Sequence, residues 1–227
     1  MKLTSHVPKQ PFEIDIVMDH IRGSIIGFPK AAMFELAGRG FATAFQQLVA
    51  CIISIRTRDE ESLPLSVRLF QVASTPAEIA ALPVETIGER IRPSTFYERK
   101  AVQIQDIARR VVEEYGGELP CDELVLRSFA GVGVKCANLT LGIACGQPKI
   151  SVDVHVHRIV NRWGYVQTKT PEQTTVALEA KLPLRYAVEI NALLVPFGKH
   201  VCTGSAPRCS TCPLQQMCRQ VGVTSHR

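Results

Sequence analysis

Four cysteines, Cys202, Cys209, Cys212 and Cys218, are spaced C-x6-C-x2-C-x5-C. Thiolates are soft metal ligands, and four so close in sequence can surround one centre at little ordering cost, because the loops they close are short. An iron–sulfur cluster of four irons takes four such ligands, and structural zinc can too, so the count alone leaves both open. Pro213, directly after the third cysteine, restricts the local turn. The other four, Cys51, Cys121, Cys136 and Cys145, are scattered through apolar helical patterns. They read as small packing residues, since a reducing compartment disfavours structural disulfides.

A second constellation is Phe129-Ala130-Gly131-Val132-Gly133-Val134-Lys135. Two glycines flanking one residue make a tight turn that lets backbone approach a ligand closely. A helix beginning near Val134 would aim its free N–H groups and positive dipole end back at that turn, which suits a phosphate. Gly131, Val132, Gly133 and Val134 are therefore candidates for gripping a nucleic acid backbone without reading its sequence. On the glycines alone, a plain helix–helix turn is the readier explanation. Lys135 falls in the first helical turn, where a cation is disfavoured, and an amine that releases its proton readily is what Schiff-base chemistry needs. Most first-turn lysines are simply exposed. Downstream, Asp153 in Ser151-Val152-Asp153-Val154-His155 precedes a new apolar-periodic run and reads as a helix N-cap. His155 and His157, two residues apart, point to different helix faces and do not share a metal.

These residues need helices to position them. Phe45, Leu48, Val49, Ile52 and Ile53 recur at three- and four-residue spacing, and so do Ile104, Ile107, Ala108, Val111 and Tyr115. Gly116-Gly117 stops the second run. Thr75-Pro76 with Glu78 reads as an N-cap, a first-turn proline and a capping-box acid. Alternating strand patterns with hairpin turns are absent, so the pattern predicts an all-α protein of roughly ten helices. Breakers crowd the first forty residues, a dense helical block follows to about Gly146, and Gln147-Pro148 ends it.

The 227 residues carry a net charge of +5, which permits a polyanionic partner without requiring one. From Lys199 onward Lys199, Arg208, Arg219 and Arg227 stand without any Asp or Glu. No signal peptide and no apolar run long enough for a membrane are visible, so a soluble, cytoplasmic protein is expected, associated with the nucleoid if it binds DNA.

Taken together, G-V-G-x-K at Gly131 to Lys135, V-D-x-H at Val152 to His155 and the terminal cysteine pattern make the sequence resemble the endonuclease III branch of the helix–hairpin–helix DNA glycosylases. The resemblance runs from about Phe41 to Cys218. It implies two helical domains: a six-helix barrel over 37–147 with the helix–hairpin–helix, and an iron–sulfur domain formed by 1–36 and 148–227. It implies a cleft between them for damaged double-stranded DNA, Lys135 and Asp153 as the catalytic pair, and a [4Fe–4S] cluster on Cys202, Cys209, Cys212 and Cys218. The cluster would be structural and would shape the basic loop that ends at Arg208 against the DNA. The implied activity is base excision repair by a monomeric, bifunctional enzyme. Lys135 would displace a damaged base, an oxidised pyrimidine above all, and β-elimination would then cut the strand.

The sequence also departs from the family pattern. Phe129-Ala130 replace the usual Leu-Pro before the hairpin glycines, Val134 replaces a cation, and Cys136 replaces a threonine. Arg56, in Ser54-Ile55-Arg56-Thr57-Arg58-Asp59, stands where the family has a glutamine that fills the gap left by the extruded base. Phe96 occupies the second wedge position, where it could stack between bases or pack in a core. A DNA-binding paralogue with weak or altered activity is the alternative these changes leave open.

Overall fold

The computed structural model describes residues 9–227, and among them all regular structure is helical. Twelve α-helices are present. They divide into two compact units. One comprises residues 9–29 with Val152–Leu182 and Glu189–Arg227; the other comprises Lys30–Ser151 and Pro183–Val188.

The Lys30–Ser151 unit contains α2 (Ala32–Gly38), α3 (Ala44–Ser54), α4 (Asp59–Phe70), α5 (Pro76–Ala81), α6 (Val84–Ile91), α7 (Tyr97–Tyr115), α8 (Glu123–Ser128) and α9 (Val134–Cys145). The expected α3 has an apolar stripe, but the folded helix is buried all round, from Phe45 through Ile53. It lies against α9, α4, α7 and α2. A helix enclosed on every side keeps apolar residues on every side, so the stripe was part of a fuller pattern. α7 is the amphipathic counterpart. It buries Lys100, Ala101, Ile104, Gln105, Ile107, Ala108 and Val111, packs on α5 and α6, and stops at Gly116 in the left-handed region. The Thr75 capping box forms as expected. The Glu78 carboxylate accepts from Ser74 N and Thr75 N, at 2.8 and 3.0 Å, and these donors hold its pKa below the ordinary carboxylate value.

Two disulfides correct the reading of four cysteines as simple packing residues. Cys51 in α3 is bonded to Cys136 in the first turn of α9, and Cys121, ahead of α8, is bonded to Cys145 at the end of α9. Both pairs have Cα atoms 5.9 Å apart, in the range that disulfide geometry requires. The partners are 85 and 24 residues apart in sequence, so no local pattern announces them.

The other unit contains α1 (Ile14–Ser24), α10 (Val154–Trp163), α11 (Pro171–Glu179) and α12 (Glu189–His200). α12 packs on α10 and α1. Gly198 permits the α10 approach: a Cβ there would stand 2.5 Å from His155 Nδ1. Phe12 stacks at a tilt on Trp163 and Tyr165, and the Arg22 guanidinium pairs with Glu189, joining α1 to α12.

Candidate functional site

α8 ends at Ser128 and α9 begins at Val134, as the glycine spacing predicts. Between them Val132 N donates to Phe129 O at 3.1 Å, closing a four-residue turn with Gly131 in its third position at φ +77°. That backbone conformation requires glycine, and a Cβ at Gly131 would also stand 2.8 Å from Gln103 Nε2. The Gln103 amide donates to Ala130 O at 2.5 Å, so α7 buttresses the turn from behind. Gly133 caps α9 without a side chain. Its first turn therefore presents backbone donors and Lys135 at the same end, and Lys135 is exposed rather than part-buried.

The Ser151 hydroxyl donates to Lys135 O at 3.2 Å, tying the segment after α9 to the lysine's own turn. Asp153 follows two residues later and caps α10: its Oδ1 accepts from His155 N and Val156 N, both at 2.9 Å. Lys135 belongs to the Lys30–Ser151 unit and Asp153 to the other.

Arg56 and Phe96, forty residues apart, are brought together within the Lys30–Ser151 unit. Both are exposed and both adopt left-handed backbone, at φ +55° and +59°. The guanidinium carbon lies 5.7 Å from the centre of the Phe96 ring, within cation–π range. Phe96 is 54% exposed, so it does not pack in the core.

The four C-terminal cysteines line one cavity in the other unit, together with Trp163 and Arg208. Polar hydrogens are directed at the sulfurs: Arg162 Nη1 donates to Cys202 Sγ and Gln220 N to Cys218 Sγ, both at 3.4 Å. Burial pushes the Cys212 thiol up to about 12 and the Cys218 thiol up to about 11; the neighbouring thiols add to the rise, and N–H donors from Leu214 and Gln220 oppose it. Four sulfurs on one cavity, two of them accepting from N–H groups, are a donor set that fits a thiolate-bound metal group. Among the described residues, no three His, Cys, Asp or Glu side chains converge as they would on a single metal ion.

Two arginines that the sequence reading did not single out organise this loop. Arg162 donates to Thr203 O at 2.6 Å and Gly204 O at 2.7 Å. Arg158 donates to Gly198 O at 2.9 Å and Cys202 O at 3.0 Å, meeting carbonyls at the C-terminal end of α12. Arg208, exposed at the loop's end, is held through its backbone by Val201 O. Arg219, another cation of this C-terminal segment, packs against Gly164.

The HhH-GPD superfamily of base excision DNA repair proteins matches residues 49–184. Endonuclease III of Thermotoga maritima is 41% identical over 174 residues, which span 77% of this chain and 82% of that protein. Two solved structures, a non-covalent endonuclease III–DNA complex and a trapped endonuclease III–DNA covalent intermediate, superpose with TM-scores of 0.78 and 0.77. Each is 27% identical and covers 91% of this chain and 94% of its own. On its sequence and its fold alike, the chain belongs to the endonuclease III family.

Proposed function

We propose that this protein excises a damaged base from double-stranded DNA through a Schiff base on Lys135 and then cuts the strand by β-elimination. The general class, a base excision repair DNA glycosylase and lyase, follows from family membership. The observation that carries the specific reading is the placement of Lys135: an exposed amine in the first turn of α9, directly after a glycine turn built to meet a phosphate.

In this reading the hairpin N–H groups of Gly131, Gly133 and Val134 hold the backbone of a duplex, while that of Val132 closes the turn on Phe129 O. Arg56 and Phe96 enter the stack where the damaged nucleotide leaves it, because C1′ cannot be attacked inside the helix. The Lys135 Nζ forms a bond to C1′ as the glycosidic bond breaks, and the base departs with its electron pair and a proton. The Asp153 carboxylate takes the proton from the attacking amine and stabilises positive charge developing on the sugar. Opening of the C1′–O4′ bond, with a proton passing to O4′, turns this adduct into an imine, and loss of a proton from C2′ then expels the 3′ phosphate with the electron pair of the C3′–O bond. Oxidised pyrimidines are the proposed substrates, and the enzyme acts as a monomer.

Cys202, Cys209, Cys212 and Cys218 would hold a [4Fe–4S] cluster, supported by their shared cavity and the N–H donors on their sulfurs. When bound, the cluster supplies a rigid crosslink for the loop that presents Arg208.

Borohydride trapping on a thymine-glycol duplex tests the chemistry. Wild-type protein should give a covalent adduct, Lys135→Gln none, and Asp153→Asn an adduct formed at least about a hundredfold more slowly. An active enzyme that yields no adduct would overturn the lysine assignment. The alternative, a DNA-binding paralogue with weak excision, is favoured by one observation: the first residue of α9 is the apolar Val134, so it adds no cation to that of Lys135. Tight binding to an abasic duplex with no incision would select it.

A further inference from the structure

Lys100 is a lysine on the buried face of α7, 5% exposed. Its ammonium reaches back to the end of α3 and donates to Ile53 O at 2.7 Å, Ile55 O at 2.8 Å and Thr57 Oγ1 at 3.3 Å. The first two are carbonyls left unpaired by the end of a helix, where a cation is electrostatically favoured. Thr57 Oγ1 also accepts from Thr95 N at 3.1 Å, and the Thr95 hydroxyl donates to Arg56 O at 2.8 Å. Lys100 N in turn donates to Phe96 O at 3.1 Å. The chain of bonds thus runs from the residue after Phe96's own turn, through the buried amine and one threonine hydroxyl, to both flanks of Arg56.

Two non-glycine residues in left-handed backbone at facing loop tips are costly, and they persist only where surrounding structure over-determines them. Here that structure is the set of bonds centred on Lys100 and Thr57. A buried charge with only neutral oxygens as partners is expensive to keep, and burial holds the Lys100 pKa down to about 8. An apolar residue here would avoid that cost but would leave the Ile53 and Ile55 carbonyls without this donor.

We infer that Lys100 is a positioning residue that fastens the Ser54–Arg58 and Ser94–Phe96 tips into one piece, so that Arg56 and Phe96 enter a duplex as a single stacked wedge. This rests on the proposed role of those two side chains in base extrusion. It assigns to Lys100 the efficiency of extrusion rather than the bond-making at C1′. Excision of a base that must be pulled from a pair therefore depends on Lys100 more than reaction at a sugar that is already unstacked.

The test follows fluorescence of 2-aminopurine placed opposite a thymine glycol, alongside borohydride trapping on the same duplex and on single-stranded abasic DNA. Lys100→Met should lower both the fluorescence rise and duplex trapping about tenfold, with a smaller loss on the single strand. In an Arg56→Ala/Phe96→Ala background, adding Lys100→Met should cost less than about twofold more, because all three act through one wedge. Equal losses on duplex and single strand, or a full loss in the wedge-less background, would overturn the inference and leave Lys100 a structural residue. If Lys100→Met fails to fold, Thr57→Val removes the shared hydroxyl and should give the same pattern. Unchanged fluorescence in the Arg56→Ala/Phe96→Ala protein would refute the wedge itself. Absence of any wild-type adduct, by contrast, refutes the Lys135 chemistry while the fluorescence cycle still reads out Lys100.

Discussion

The α2–α9 unit and the cysteine-bearing unit hold their functional loops by opposite means. In the first, an all-round buried helix, α3, anchors the elements around it, and two disulfides fasten α9 at both ends. Its hairpin is shaped by backbone conformation at Gly131 and by one amide from Gln103. In the second, the loop after α12 is drawn together by guanidinium groups on carbonyls and by four thiols facing one cavity. The lesson is that one site is held by covalent crosslinks and backbone conformation, whereas the other is held by guanidinium bonds around four free thiols.

The strongest way to break this contrast is to remove the thiols. Cys209→Ala or Cys212→Ala should abolish the 400 nm absorbance of an iron–sulfur protein, which lies at roughly that wavelength for thiolate-bound clusters, and should cost the cysteine unit several kcal/mol in thermal unfolding. An unchanged melting profile in both variants would show that the loop stands on its arginines alone. Next in size is the covalent fastening of the other unit. Cys121→Ser/Cys145→Ser, opening a loop of 24 residues, should lower its stability by about 3.5 kcal/mol in denaturant titration. Smaller still, Arg162→Met removes donors to Thr203 O, Gly204 O and Cys202 Sγ and should cost about 2 kcal/mol, with faster loss of metal to a chelator as the readout. Gly131→Ala should cost about 1–2 kcal/mol through its left-handed backbone, and should weaken affinity for non-specific duplex without changing which lesion is preferred.

A pH dependence sharpens the contrast further. The Lys100 pKa is about 8 in the folded chain against an ordinary 10.5. Between those values the unfolded chain binds a proton that the folded chain has released, so this residue makes stability rise with pH across that window. Lys100→Met should flatten the rise, measured as the change in denaturation midpoint between pH 8 and pH 10.

Much of this was legible in the residues. The hairpin, the start of α9 at Val134, the Asp153 cap and the Thr75 capping box are local events, encoded within a few positions of one another. The full enclosure of α3 was less so, because a stripe and a surrounded helix share the same strongest positions. The disulfides and the Arg162 bonds depend on which distant segments meet, and spacing along the chain does not carry that. Lys100 lay between these cases. It stands four residues before Ile104 on the buried face of α7, and a lysine in phase with an apolar run was a signal that went unread.

The bridge from Cys121 to Cys145 encloses α8, the hairpin and α9. Leu124, just inside it, is 79% exposed and offers a site for a protease. A single nick there would sever the polypeptide yet release nothing, since the fragment carrying Lys135 stays joined through Cys145 and, independently, through Cys136 to α3. Lys135 is thereby kept joined to the rest of the chain across one break in its own backbone, and a clipped preparation would run as two bands only after reduction.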